Sequence, residues 1–183
     1  MSDRSYELHV AGCKRMLPIL NISDKLAIAA FVILGDVELV GNCAEELAKR
    51  VPPETEILMT AETKGIPLVA ELARRMGMSW YITARKSIKA YMENPLIVDD
   101  ESITTKGKQI LCLMDDDIER INGKNVLLVD DVISTGGSMK ALRELAEKAG
   151  GKVIGEAAIL AEGDASKRKD IIYLEALPLF DAK

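Results

Sequence analysis

The run Val126-Leu127-Leu128-Val129-Asp130-Asp131-Val132-Ile133-Ser134-Thr135-Gly136-Gly137-Ser138 constrains the fold more than any other segment of this 183-residue chain. Four apolar residues in a row predict a short buried strand. Two carboxylates stand at its carboxyl end and a loop of hydroxyl and glycine residues follows. Helical periodicity then begins, with Met139, Leu142, Leu145 and Ala149 on one side. A strand that delivers an acidic pair and a small-residue loop to the start of a helix suits a phosphorylated sugar. Loop amides and a helix N-terminus hold a phosphate, and the carboxylates accept hydrogen bonds from sugar hydroxyls. The bland alternative is a buried strand ending in a solvated acidic turn.

Helical and strand patterns alternate along the chain, which predicts an α/β fold with a largely parallel sheet flanked by helices. Helices are expected over Gly41 to Arg50, ended by Pro52-Pro53, and over Ile66 to Met76, stopped by Gly77. A third is expected over Gly137 to Ala149, ended by Gly150-Gly151. Strands are expected over Glu56 to Ala61, Ser79 to Ala84, Gln109 to Met114, Val126 to Val129, Val153 to Ala161 and Ile171 to Ala176. Residues 85 to 108 show no clean period and carry Pro95, an acidic cluster and Gly107. Asp115-Asp116-Asp117 lacks the alternate-residue spacing of a calcium loop and reads as a solvated turn. Trp80 and Phe31 read as core residues.

At this length a single domain with a real core is expected. The net charge of -5 argues against a general nucleic-acid binder while leaving room for a local basic pocket. The polar start Met1-Ser-Asp-Arg-Ser-Tyr-Glu has no signal-peptide core, and the longest apolar stretch, Leu26 to Leu34, is too short to span a bilayer. A cytoplasmic protein with no membrane partner is expected. Cys13, Cys43 and Cys112 form no CxxC pair and read as reduced, mostly buried thiols. With His9 the single histidine, histidine-based metal sites and catalytic triads are closed off.

Residues 126 to 138 resemble the phosphoribosyl-pyrophosphate signature of the type I phosphoribosyltransferases: an apolar strand, two acidic residues, spacers, then Thr-Gly-x-Ser/Thr. The resemblance runs from about Leu17 to Phe180. It implies the type I phosphoribosyltransferase fold as a single domain over 1–183. A small hood would come from roughly 1–40 and 162–183, and a flexible loop over 87–108 would close on the site. It implies that Asp130 and Asp131 hold the ribose hydroxyls, directly or through the substrate's magnesium. Ser134, Thr135, Gly136, Gly137 and Ser138 would cradle the 5′-phosphate. Glu62-Thr63-Lys64-Gly65, after a strand, looks like the family's pyrophosphate loop, whose backbone often holds a cis peptide. Arg85, Lys86 and Lys89 would join it in binding pyrophosphate. The bland alternatives are an ordinary strand-to-helix turn with a surface lysine for the first segment and a solvated basic turn for the second. Asp130, Asp131, Arg85 and Lys86 are the implied catalytic set, and Mg2+ is the implied cofactor.

The resemblance is strongest to the adenine and xanthine branch, through Arg85-Lys86, the stretch Thr104 to Gln109, and Glu162 to Arg168. Ser134 stands where hypoxanthine-guanine members place an aspartate. Glu162 aligns near a lysine of xanthine enzymes; a carboxylate repels xanthine oxygens and accepts from the exocyclic amine of adenine or guanine. The implied reaction moves the phosphoribosyl group onto a purine, adenine favoured, with Leu17, Asn21 and Glu162 at the base. The segment Leu17 to Asp24 either sandwiches the purine or only packs on the sheet. One departure is plain: Ser102-Ile103-Thr104-Thr105-Lys106-Gly107 replaces the Tyr-x-x-Glu-Tyr-Gly run usual in adenine members. The implied working form is a homodimer. The alternative is a non-catalytic sensor of phosphoribosyl pyrophosphate or a nucleotide on the same fold.

Overall fold

The computed structural model describes residues 4–100 and 109–182. In chain order the elements begin with β1 (Ser5–Val10), β2 (Cys13–Asn21), β3 (Leu26–Ala29), α1 (Val37–Ala48), β4 (Ile57–Ala61), α2 (Gly65–Arg75) and β5 (Ile82–Ala84). They continue with β6 (Leu96–Asp100), β7 (Gln109–Leu113), α3 (Asp115–Ile121), β8 (Asn125–Ile133), α4 (Gly137–Lys148) and β9 (Lys152–Glu162). A 3-10 turn (Gly163–Lys167), β10 (Ile171–Leu177) and β11 (Leu179–Asp181) close the chain.

Among the described residues, five strands form the main sheet in the order β10-β9-β8-β4-β5, all parallel. The expected α/β class therefore stands. Central strands buried on both faces read as continuous apolar runs, and Val126, Leu127, Leu128 and Val129 are all fully buried. Alternate residues serve opposite faces. Leu127 and Val129 join the core under α1 and α2, with Leu68, Leu72 and Leu47. Val126 and Leu128 join the core under α4, with Leu142, Leu145, Leu111 and Leu113.

A second, antiparallel sheet has the order β1-β2-β3-β11. The segment 162–183 is thus divided: Ile171–Leu177 is an edge strand of the parallel sheet, and only Leu179–Asp181 joins the antiparallel one. No helix among the described residues is long and apolar enough to cross a membrane.

Several expected boundaries are corrected. α1 starts at Val37, not Gly41, because the Asp36 carboxylate caps it, accepting from Leu39 N at 3.1 Å. Asp115–Asp117 is no turn; it is the first turn of α3, where carboxylates oppose the positive end of the helix dipole. The expected loop 87–108 contains β6, which pairs antiparallel with β7 from Leu96↔Leu113 to Asp100↔Gln109. Val98 and Leu111 bury against α4, which explains the hairpin; residues 101–108 lie outside the described residues. The strand expected over 79–84 shortens to Ile82–Ala84. Trp80 is no core residue: it is 59% exposed, with the Arg120 guanidinium 4.2 Å over its ring. Phe31 is buried as expected. Cys13, Cys43 and Cys112 are free and buried, and burial pushes the Cys43 thiol up to about 12.

Leu128→Ala is expected to cost about 2–5 kcal/mol in denaturant melts, as a void opens in a packed core. Met16→Ala, on the exposed face of β2, is expected to change stability by less than about 0.5 kcal/mol.

Candidate active site

In the main sheet β4 leads to β5 on one side, while β8 pairs on the other side of β4. Such a reversal opens a crevice beyond the carboxyl ends of the strands, where ligands bind in open α/β sheets. Four segments meet there: Glu62–Gly65 after β4, Arg85–Lys86 after β5, Asp130–Ser138 at the end of β8, and Glu162 at the end of β9.

β8 runs to Ile133, four residues beyond the expected end, so both aspartates belong to the strand. They leave the strand on alternate sides, yet at the carboxyl end of the sheet their carboxyl groups stay within reach of each other and of Lys64. The Asp131 side chain is 4% exposed and lies 2.5 Å from the Lys64 ammonium. Lys64 also donates to the Phe31 carbonyl at 3.3 Å, tying the chain after β3 to the acidic pair. Asp130 Oδ1 accepts from the Asp131 amide at 2.8 Å. Burial, and then the neighbouring Asp131 charge, hold the Asp130 carboxyl well above the usual carboxylate range.

The Glu62-Thr63 peptide is cis, the form the family resemblance implies for this loop. Gly65 opens α2, and a methyl group there would lie 2.1 Å from Thr60 Oγ1 and 3.4 Å from Asp130 Oδ1. Its small size therefore serves packing against β4 and β8. The Glu62 carboxylate faces cations and amides of the next strand end. It lies 2.5 Å from Arg85 Nε and accepts from the Lys86 amide at 2.8 Å. Arg85 itself exchanges two backbone bonds with Cys112, both 2.9 Å, so the β6–β7 hairpin fixes its position. Lys86 is exposed, and Lys89 donates to Ser87 Oγ at 2.6 Å.

After Ile133 the loop is open: Ser134 and Thr135 are exposed. Gly136 takes φ +84, a left-handed conformation that favours glycine, and stands at the N-cap of α4. No side chain caps this end among the described residues, so the first amides of a 12-residue helix are offered to an incoming anion. The site thus has an acidic centre, a cationic flank at β4 and β5, and an amide-lined flank at α4.

These features meet in a known family. The phosphoribosyl transferase domain model matches residues 38–178. The chain belongs to the phosphoribosyltransferase family. It is 30% identical over 145 residues to a hypoxanthine/guanine phosphoribosyltransferase of Methanococcus voltae, covering 79% of this chain and 73% of that one. It is 33% identical over 141 residues to an adenine phosphoribosyltransferase of Nitrosopumilus maritimus, covering 76% and 79%. The solved adenine phosphoribosyltransferase of Thermoanaerobacter pseudethanolicus superposes with a TM-score of 0.65 at 26% identity, covering 79% of this chain and 84% of that one. The expected type I phosphoribosyltransferase fold is therefore present, and the chain is an enzyme of that family.

The residues assigned to the base fare differently. Leu17 is buried in the core with Leu8 and Phe31, because its position in β2 turns inward. Asn21 is exposed at the end of β2. Glu162 is 9% exposed and ends β9, opposite Leu177. Gly163 beside it packs on Leu179 of β11, which puts Glu162 at the junction of the two sheets. The Phe31 carbonyl and Thr60 are absent from the sequence expectations, and Glu62, expected in the pyrophosphate loop, turns its carboxylate to Arg85 instead. A buried strand threonine and a backbone atom carry no sequence signal, but a carboxylate inside a loop meant for an anion is a hint that it serves a cation.

Gly65→Ala is expected to lower stability by about 1–3 kcal/mol through overpacking, with partial recovery in the Thr60→Ala double variant; denaturant melts check both. Asp130→Asn is expected to stabilise the free protein near neutral pH. The raised carboxyl favours folding only while protonated, so its contribution falls as pH rises through the native value. Melts from pH 4 to 8 should show the variant's advantage growing with pH.

Proposed function

We propose that this chain transfers the 5-phosphoribosyl group of phosphoribosyl pyrophosphate to a purine nitrogen, adenine favoured, releasing pyrophosphate and a nucleoside monophosphate. One observation carries the reading: an acidic pair ends the central strand between the open N-terminus of α4 and the Lys64–Arg85 flank. The substrate has the complementary layout, with a hydroxyl-bearing sugar between a monophosphate and a diphosphate.

In this mechanism Ser134 to Ser138 hold the 5′-phosphate. Asp130 and Asp131 accept from the ribose hydroxyls, and Lys64 leaves Asp131 for the diphosphate. Arg85, Lys86 and Lys89 add charge there, while Glu62 orients Arg85. The purine nitrogen attacks the anomeric carbon as the bond to the diphosphate oxygen breaks. Breaking runs ahead, so positive charge grows on the sugar ring next to the carboxylates, and negative charge on the leaving group next to the cations. No covalent enzyme intermediate is needed; positioning and exclusion of water supply the rest.

Magnesium fits this site as a companion of the diphosphate. Among the described residues no group of three or more acidic, Cys or His side chains can hold a metal alone. Asp130 and Asp131 offer oxygen donors of the kind magnesium takes. When bound, the ion neutralises the diphosphate and makes it a better leaving group.

Glu162 supports adenine. A buried carboxylate accepts from an exocyclic amine and repels the oxygens of xanthine. Ser134 supports the same choice, since it brings no carboxylate to the imidazole edge of the base. We read the working form as a cytoplasmic homodimer that needs neither nucleic acid nor membrane. Val32, Leu34 and Val37, exposed beside α1, offer a second copy an apolar surface.

A base panel tests the proposal. Pyrophosphate release should require magnesium and run fastest with adenine, ahead of hypoxanthine, guanine and xanthine. Asp131→Asn should lower kcat/KM at least about tenfold, the value of a lost charged hydrogen bond. Silence with every purine, or full activity in Asp131→Asn, would overturn it.

A further inference from the structure

Glu156 of β9 has a side chain only 8% exposed. Two guanidiniums share it: Arg143 Nη2 of α4 at 2.9 Å and Arg168 Nη2 at 3.0 Å. Arg168 follows the 3-10 turn and also grips Asp170, through Nε at 3.0 Å and Nη2 at 2.6 Å. These bonds use one edge of the guanidinium and fix its plane. The other edge, Nη1, makes no hydrogen bond or ion pair among the described residues. It lies 3.7 Å from where a methyl group on Gly136 would stand.

We propose that Arg168 is a phosphate-binding residue, whose Nη1 edge holds the 5′-phosphate monoester of the sugar substrate against the loop 134–138. A planar guanidinium anchored on one side and open on the other is pre-organised for a phosphate. The open edge faces the N-cap of α4, whose first amides are donors like itself. Only an acceptor placed between them satisfies both. Glu156 does not cancel the charge alone, because Arg143 shares it. Asp170 is 70% exposed and screened by water. The buried fork through Glu156 also ties Arg168 to α4, so the cation and the helix amides hold a constant spacing.

The inference rests on the phosphoribosyl reading of the site. Its test uses ribose 5-phosphate and magnesium pyrophosphate as separate probes in calorimetric titrations of the full chain. Arg168→Gln should bind ribose 5-phosphate about tenfold more weakly while its affinity for magnesium pyrophosphate stays unchanged. Arg168→Lys keeps the cation but loses the anchored plane and its open edge, and should bind ribose 5-phosphate about threefold more weakly with magnesium pyrophosphate unchanged. Unchanged ribose 5-phosphate binding in Arg168→Gln would overturn the proposal. So would a parallel loss of both probes, which would make the fork merely structural. If Arg168→Gln fails to fold, Arg168→Lys decides alone: a selective loss of ribose 5-phosphate affinity supports the proposal, and no loss overturns it. Purine-dependent pyrophosphate release by the parent protein tests the enzymatic reading independently. Its absence, beside a selective loss in Arg168→Gln, would remove that reading and leave Arg168 as a phosphate ligand.

Discussion

Two adjacent carboxylates at the end of a buried strand repel each other and resist desolvation, so one must be paired or protonated. The protein uses both solutions. Lys64 pairs with Asp131 at 2.5 Å, while burial and the Asp131 charge favour the protonated form of Asp130. Much of the fold around the site serves this arrangement. β4 must lie directly beside β8 to bring Lys64 across. Residue 65 must be glycine so that α2 can start against Thr60 and Asp130. The Phe31 carbonyl then gives Lys64 a second acceptor and links the chain after β3 to the sheet ends.

The same layout gives the substrate a place for each charge. A chain of net charge -5 nevertheless gathers Lys64, Arg85 and Lys86 at one end of its crevice. It turns a helix N-terminus and Arg168 to the other end. In the free protein Glu62 and Asp131 occupy the cations that the diphosphate would take. On the proposed reading, binding would exchange internal ion pairs for substrate ones and expose no bare cluster of like charge. A raised Asp130 carboxyl costs stability near neutral pH, the kind of strain that functional sites retain.

Legibility followed physical signal. The strand at Val126–Val129 and the helices at Ile66–Met76 and Gly137–Ala149 were readable because their periods are strong and glycine ends them. α1 began earlier than read because its start depends on one capping side chain, Asp36. α3 hid behind three aspartates, which oppose a helix by propensity but suit its first turn. β6 hid behind Pro95 and Asp99-Asp100, and only its hairpin partner reveals it. At the site, the acidic pair, the glycine loop, Lys64 and Arg85 were legible as a linear pattern. Leu17 packs into the core, as in the alternative that its segment packs on the sheet, because strand alternation, not residue type, decides which way it turns. The pairs Lys64–Asp131 and Arg168–Glu156 were not legible, since sheet order brings them together across 67 and 12 residues.

The most direct test of the account is a crystal structure with magnesium phosphoribosyl pyrophosphate and no base. The account expects the 5′-phosphate on residues 134–138, ribose hydroxyls on Asp130 and Asp131, and Lys64 moved from Asp131 to the diphosphate. A substrate bound elsewhere, or bound with the Lys64–Asp131 pair intact, would contradict it.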